Sequence, residues 1–219
     1  MHRLLFSKTG EAVWISHLDL MRLFQRAFKR AGLHLTHTQG YNPRPSVSIA
    51  LPLSVGVESV CELLDFELEG EPVSFKEITL RLNEVLVEGV EVLRTYPNGM
   101  KLKNLALLRS VLTLEYDGGV PERACQKLGA LFSGESLLVE KKGKNGPMEQ
   151  DIIPMLRHVT VETADANTVR IDLTACCQNP SLNPMQLVAA IRRYMPELTP
   201  DFAKCRREEI YDHDEKVFR

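Results

Sequence analysis

The chain has 219 residues, 44% hydrophobic and 26% charged, with a formal net charge of −2. That composition is ordinary for a soluble globular protein and excludes collagen, coiled-coil and disordered classes. Apolar runs such as IALPLSVGV are broken by Pro and Gly and are too short to span a bilayer.

Read in chain order, LLFSK alternates as a strand and ends at the Thr9-Gly10 turn. AVWIS is expected to pair back on it as a short hairpin arm. A helix follows: Ser16 is its N-cap, and Asp19 three residues later completes a capping box. Leu20, Leu23, Phe24, Ala27, Phe28 and Ala31 recur at helical spacing as one apolar stripe, and Gly32 closes the helix. The loop from His37 to Pro45 leads into the strand VSIALPL. ELLDFELEG alternates as a further strand, Ser74 and Glu77 make a second capping box, and VEVLRTY is a strand before the Pro97-Asn98-Gly99 turn.

This order is β-α-β-β-α-β, the split βαβ or ferredoxin-like arrangement with both helices on one face. It then repeats. ALLRSVLTLEY, a helix from Pro121 through Phe132, LLVEKK with a KGKNGP tip, LRHVTVET, VRIDLTACC, a helix capped by Asn183 and Gln186, and FAKCRREEIY follow in turn. The expected fold is α+β: two tandem ferredoxin-like domains, 1–100 and 101–219, comparable at the level of fold with the RAMP superfamily of CRISPR RNA-processing proteins.

The chemistry is narrowed by what is missing. There is no G-x-x-x-x-G-K-[ST], G-x-G-x-x-G or H-E-x-x-H, so neither an ATP-driven nor an NAD-linked enzyme is indicated. The five cysteines (Cys61, Cys125, Cys176, Cys177 and Cys205) have no C-x-x-C spacing and read as buried small hydrophobes. No cofactor and no metal are expected. The start, MHRLLFSKTGE, lacks an apolar h-region before a cleavage site, so a cytoplasmic chain with reduced thiols is expected.

Charge is unevenly spread. Residues 1–46 carry seven basic groups against two acids, and residues 47–91 carry ten acids against two basic groups. Arg22, Arg26, Lys29 and Arg30 lie off the apolar stripe of the first helix, where guanidinium groups one turn apart can reach successive phosphates. The loop offers Tyr41 as a stacking face, Asn42 held extended by Pro43, and Arg44 as a cation. Lys141, Lys142 and Lys144 stand at the later basic tip. Each of these groups also has a bland reading as a solvated surface or a connector. Asp151 with Arg157 and His158 reads as an ion pair that holds a loop. His17 and His37 are candidate acid/base groups only if the chain cleaves RNA without a metal.

The segments FSKTG (6–10), SHLDLMR (16–22), RAG (30–32), QGYNPRP (39–45), ALPLSVGVES (50–59) and ELLD (62–65) together resemble the radical-SAM-linked family of unknown function, whose members stand alone or are fused to radical-SAM proteins. The match thins after residue 94. DIIP (151–154) is similar to the family's D-I-R-P-type motif, with Ile153 in place of Arg, and Tyr41 stands where the family often has Phe. The chain has no C-x-x-x-C-x-x-C, so the resemblance implies a companion of a radical-SAM protein and not the radical generator. The first expectation is thus an accessory module presenting tRNA or rRNA to that partner. The alternatives are a metal-independent RAMP-like endoribonuclease, or a protein-interaction scaffold whose acidic 58–91 segment binds a basic partner.

Overall fold

A computed structural model describes residues 1–97, 99–143 and 146–219, the side chains of 142 and 143 excepted. The fold is α+β, in two compact units: Met1–Asn104 together with Arg219, and Leu105–Phe218.

The first unit contains β1 (His2–Lys8), α1 (His17–Arg30), β2 (Val47–Ile49), β3 (Val57–Phe66), α2 (Phe75–Asn83) and β4 (Val90–Pro97). Its strands are antiparallel in the order β4-β1-β3, and β2 lies on the far edge of β3 from β1, since Leu64 pairs with both Leu4 and Ile49. Alternation sends Leu4, Phe6, Leu64 and Phe66 to one face. There they pack with Leu20, Phe24 and Phe28 of α1 and with Ile78 and Leu82 of α2 in one core. Ring centroids of Phe6 and Phe24 are 4.7 Å apart, and those of Phe28 and Phe66 are 4.9 Å apart. Burying each such ring stabilises the unit by about 1.5–3 kcal/mol.

The helix ends follow from their capping residues. Ser16 Oγ accepts the Asp19 N–H at 3.3 Å, and Ser74 Oγ accepts that of Glu77 at 3.2 Å. At Gly32, φ is +67°, which lets the Leu33 N–H reach back to the Phe28 carbonyl at 2.9 Å. Asn83 ends α2 and ties it to β4: its Nδ2 donates to the Val92 carbonyl at 2.9 Å, and its Oδ1 accepts the Val92 N–H at 2.8 Å.

AVWIS is not a hairpin arm. Gly10–Trp14 forms a 3₁₀ turn in which the Ala12 N–H donates to the Thr9 carbonyl and the Ile15 N–H to the Ala12 carbonyl. The reason is topological: β1 already has β3 on one edge and β4 on the other, so no edge is left for a third strand.

The second unit contains β5 (Leu105–Glu115), α3 (Ala124–Phe132), β6 (Leu138–Gly143), β7 (Gly146–Asp151), β8 (Leu156–Asp165), β9 (Thr168–Cys176), α4 (Met185–Tyr194) and β10 (Phe202–Asp212). β10-β5-β9-β8 are antiparallel neighbours, and β6 and β7 form a separate two-stranded hairpin. Along β9 the buried Val169, Ile171, Leu173 and Ala175 alternate with more exposed polar residues. On that polar face Arg109 forms a bidentate pair with Asp172, at 2.9 and 2.6 Å. The helix expected from Pro121 begins three residues later, after Arg123 adopts a left-handed φ of +57°. At α4 the expected reciprocal cap is present: Asn183 Oδ1 accepts the Met185 N–H at 3.0 Å, and the Asn183 N–H donates to Gln186 Oε1 at 3.1 Å.

Candidate nucleic-acid interface

The polar side of α1 divides its cations between two concavities of the first unit. Arg22, Arg26 and Arg30, at four-residue spacing, line an open groove of about 470 Å³. Ile15, Leu23 and Val87 are its apolar walls. Arg22 donates to Asp19 Oδ1 at 2.9 Å, and Arg30 donates to the Val85 carbonyl at 2.6 Å. The exposed guanidinium of Arg26 has no hydrogen-bond or ion-pair partner among the described residues. The Ser16 hydroxyl and then Arg22 hold the Asp19 carboxyl below its ordinary range. Lys29 does not join the arginines. It lines a separate cavity of about 300 Å³ with His34, His37 and Glu69, residues contributed by the segments that follow α1 and β3.

The loop is closed at its base. Thr38 N–H donates to the Arg44 carbonyl at 2.8 Å, Arg44 N–H donates to Thr38 Oγ1 at 3.0 Å, and His37 bridges Pro45. Gly40 has φ +136°. Tyr41 is fully exposed, and Asn42 and Arg44 are exposed beside it. These three line neither the arginine groove nor the smaller cavity. The loop base, through His37 and Pro45, borders the cavity that Lys29 enters, so the tip residues extend from that cavity and not from the groove.

The two candidate acid/base histidines do not share a centre. His17 opens α1, whereas His37 lines a cavity with Gln25 and Lys29, roughly two to three turns further along the helix. His17 Nδ1 is buried without a hydrogen-bond partner among the described residues.

In the second unit, Lys141 Nζ donates to the Ser181 carbonyl at 3.3 Å. The Lys142 side chain and Lys144 lie outside the described residues. The expected Asp151–Arg157 ion pair is replaced by backbone capping. Asp151 Oδ1 accepts the N–H groups of Leu137 at 2.9 Å and Ile153 at 3.1 Å, and the Leu137 bond is the main reason its carboxyl sits below the ordinary range. Arg157 donates to the carbonyls of Pro154 and Leu156, and His158 faces Glu215 at 3.5 Å. An Asp three residues before a Pro is a turn-forming signal that reads DIIP correctly without any ion pair.

None of the five cysteines forms a disulfide, and burial pushes the thiols of Cys177 and Cys205 up to about 11, so both stay protonated at neutral pH. No group of three or more potential metal ligands occurs among the described residues. No helix among them is long and apolar enough to cross a membrane.

The cavity residues His34 and Glu69 were not legible as a pair. They are brought together by the isolated bridge between Leu35 and Leu68, which joins segments distant in sequence.

These features define a class: an α+β protein whose first helix presents a row of arginines in an open groove. Residues 2–184 match the family described as "Uncharacterized protein conserved in bacteria (DUF2344)", and the chain belongs to that family. No curated protein matches it. Among solved structures, a chain of a Cbf5–Nop10–Gar1 complex is similar over 98% of this chain and 50% of its own, at 10% identity and a TM-score of 0.54. A chain of an archaeal box H/ACA sRNP Nop10–Cbf5 complex is similar over 94% and 46%, at 11% identity and a TM-score of 0.45. This chain thus spans about half the length of those two. The first likeness is one of fold alone.

Proposed function

We propose that the chain is an accessory module that holds RNA for a radical-SAM partner. The observation that carries this reading is the groove of Arg22, Arg26 and Arg30: three guanidinium groups on one helix, at a repeat of one turn, above apolar walls. Such a row matches a run of phosphates, and the apolar walls give sugars and base edges a surface to cover. Tyr41 and Arg44, on a loop stiffened by Pro43 and Pro45 and closed at Thr38, add an exposed stacking face and a cation at little ordering cost. The partner rests on the family motifs at 16–22 and 39–45. The 219 residues hold no C-x-x-x-C-x-x-C, so in this proposal the cluster chemistry belongs to the partner.

We read both units as ferredoxin-like. The neighbours β4-β1-β3-β2 and β10-β5-β9-β8 follow the same pattern of first, second, third and fourth strand, with β6 and β7 inserted after α3 in the second unit.

Titrating the full chain with tRNA and rRNA fragments at several salt concentrations tests the function. Affinity is expected to fall steeply with salt, and Arg26→Ala is expected to weaken binding and flatten that dependence. Binding that is absent, or that is indifferent both to salt and to Arg26→Ala, overturns the reading.

A further inference from the structure

The second concavity of the first unit has a lining that the arginine groove does not explain. Its floor is apolar and buried, made by Phe28, Leu33 and Leu35. Around that floor stand four ionisable side chains: Lys29, His34, His37 and Glu69. None of the four side chains has a hydrogen-bond or ion-pair partner among the described residues. The backbone beneath them is fixed. Glu69 N–H donates to the His34 carbonyl at 2.9 Å, Thr36 N–H donates to the Glu67 carbonyl at 2.9 Å, and Leu35 bridges Leu68. The site is thus rigid at its base, apolar at its floor and polar at its rim, as small-ligand sites are. Its volume of about 300 Å³ is that of a site for one small ring system and its substituent, not for a stretch of polymer.

The rim chemistry is specific. A lysine can hold a phosphate as a point charge. Two imidazoles can stack on a planar ring. A carboxylate only accepts hydrogen bonds, and its two oxygens accept best from two adjacent N–H groups. Among the nucleobases, guanine alone offers two such donors side by side, N1–H and the 2-amino group; uracil offers one.

We infer that this cavity binds a single unstacked guanine nucleotide, with Glu69 reading the N1–H and amino edge, His34 and His37 against the ring, and Lys29 on its phosphate. This rests on the RNA-holding reading and gives it a base preference that the arginine groove cannot supply, because phosphate contacts carry no sequence information.

Calorimetric titration of the full chain with GMP, AMP, CMP and UMP tests it. GMP is expected to bind at least about tenfold more tightly than UMP, the discrimination of one good bidentate contact. Glu69→Gln removes that preference, because an amide presents one acceptor and one donor in place of two acceptors; Lys29→Ala weakens all four nucleotides alike. Equal binding of the four nucleotides by the native chain, or an unchanged guanine preference in Glu69→Gln, overturns the inference. The same variant separates this from the broader reading. If Glu69→Gln leaves salt-dependent RNA binding intact and the native chain shows no guanine preference, the cavity assignment fails and the groove stands. If the chain binds GMP selectively but no RNA fragment at any salt, the groove reading fails and the cavity remains a mononucleotide site.

Discussion

The Arg3–Asp65 pair is a buried ion pair of the first unit. Arg3 is wholly buried, and its Nε and Nη2 reach the two carboxylate oxygens of Asp65 at 2.6 and 2.9 Å. The register that pairs Arg3 with Asp65 across β1 and β3 puts them opposite each other. Arg3→Met takes the bidentate guanidinium from a buried carboxylate and is expected to destabilise by about 3–5 kcal/mol in urea unfolding, whereas adding Asp65→Leu to it is expected to recover much of the loss. Arg109 and Asp172 behave differently because they are partly exposed. There the Arg109 hydrogen bonds come first in holding the Asp172 carboxyl below its ordinary range. A depressed folded-state value means that this contribution to stability is present above the unfolded-chain carboxylate pKa of about 3.9 and disappears as pH falls through the lower folded value. The stability difference between the native chain and Asp172→Asn should therefore shrink as pH is lowered from about 5 toward 2. A difference that grows in acid would contradict the assignment.

At the scale of elements, the turn before β4 holds the most crowded of the described glycines. Gly89 has φ +83°, its carbonyl accepts the Thr9 N–H at 2.8 Å, and a Cβ there would lie 2.4 Å from the Thr9 carbonyl oxygen and 2.9 Å from Ala12 Cβ. Gly89→Ala is expected to destabilise by more than about 2 kcal/mol, because it combines a left-handed conformation with a clash against backbone. Gly32→Ala meets open space and should cost only about 1 kcal/mol. Thermal unfolding of the two variants compares them directly. The same contrast explains what the sequence made legible. α1 could be read because its stripe, its Ser16 cap and its Gly32 stop all agree on one period. β9 could be read because its buried and polar residues alternate without a break. The 3₁₀ turn at Gly10–Trp14 could not, since only the occupation of both edges of β1 rules out a strand there. β7 had no apolar alternation to announce it, being largely exposed and defined by its pairing with β6. In the candidate interface, the arginine spacing was visible as a helical repeat. The departure of Lys29 to a different cavity was not, because it depends on where the chain runs after Gly32.

For the whole chain, a net charge of −2 opposes a polyanion, so any RNA affinity must come from local field and not from overall attraction. The local field is shaped by Asp19 as much as by the arginines. Asp19 takes a hydrogen bond from Arg22 and lines the same groove, so it competes with phosphate for one of the three guanidinium groups. Arg30 is already directed to the Val85 carbonyl, which fixes its orientation without neutralising its charge. Arg26 is free to turn toward a ligand. The three positions should therefore be unequal. Each phosphate contact to a single strand contributes about 0.7 to the slope of log K against log salt. Arg26→Ala should lower the slope by about that amount, while Arg22→Ala should lower it less, since part of the Arg22 charge is already matched. Asp19→Asn keeps the acceptor that Ser16 Oγ bonds, releases Arg22, and should tighten RNA binding by about two- to fivefold at low salt with a steeper slope. Fluorescence anisotropy of one labelled RNA against these three variants reads all of it. Weaker binding by Asp19→Asn would show that the groove does not engage phosphate through the Arg22 side of the helix.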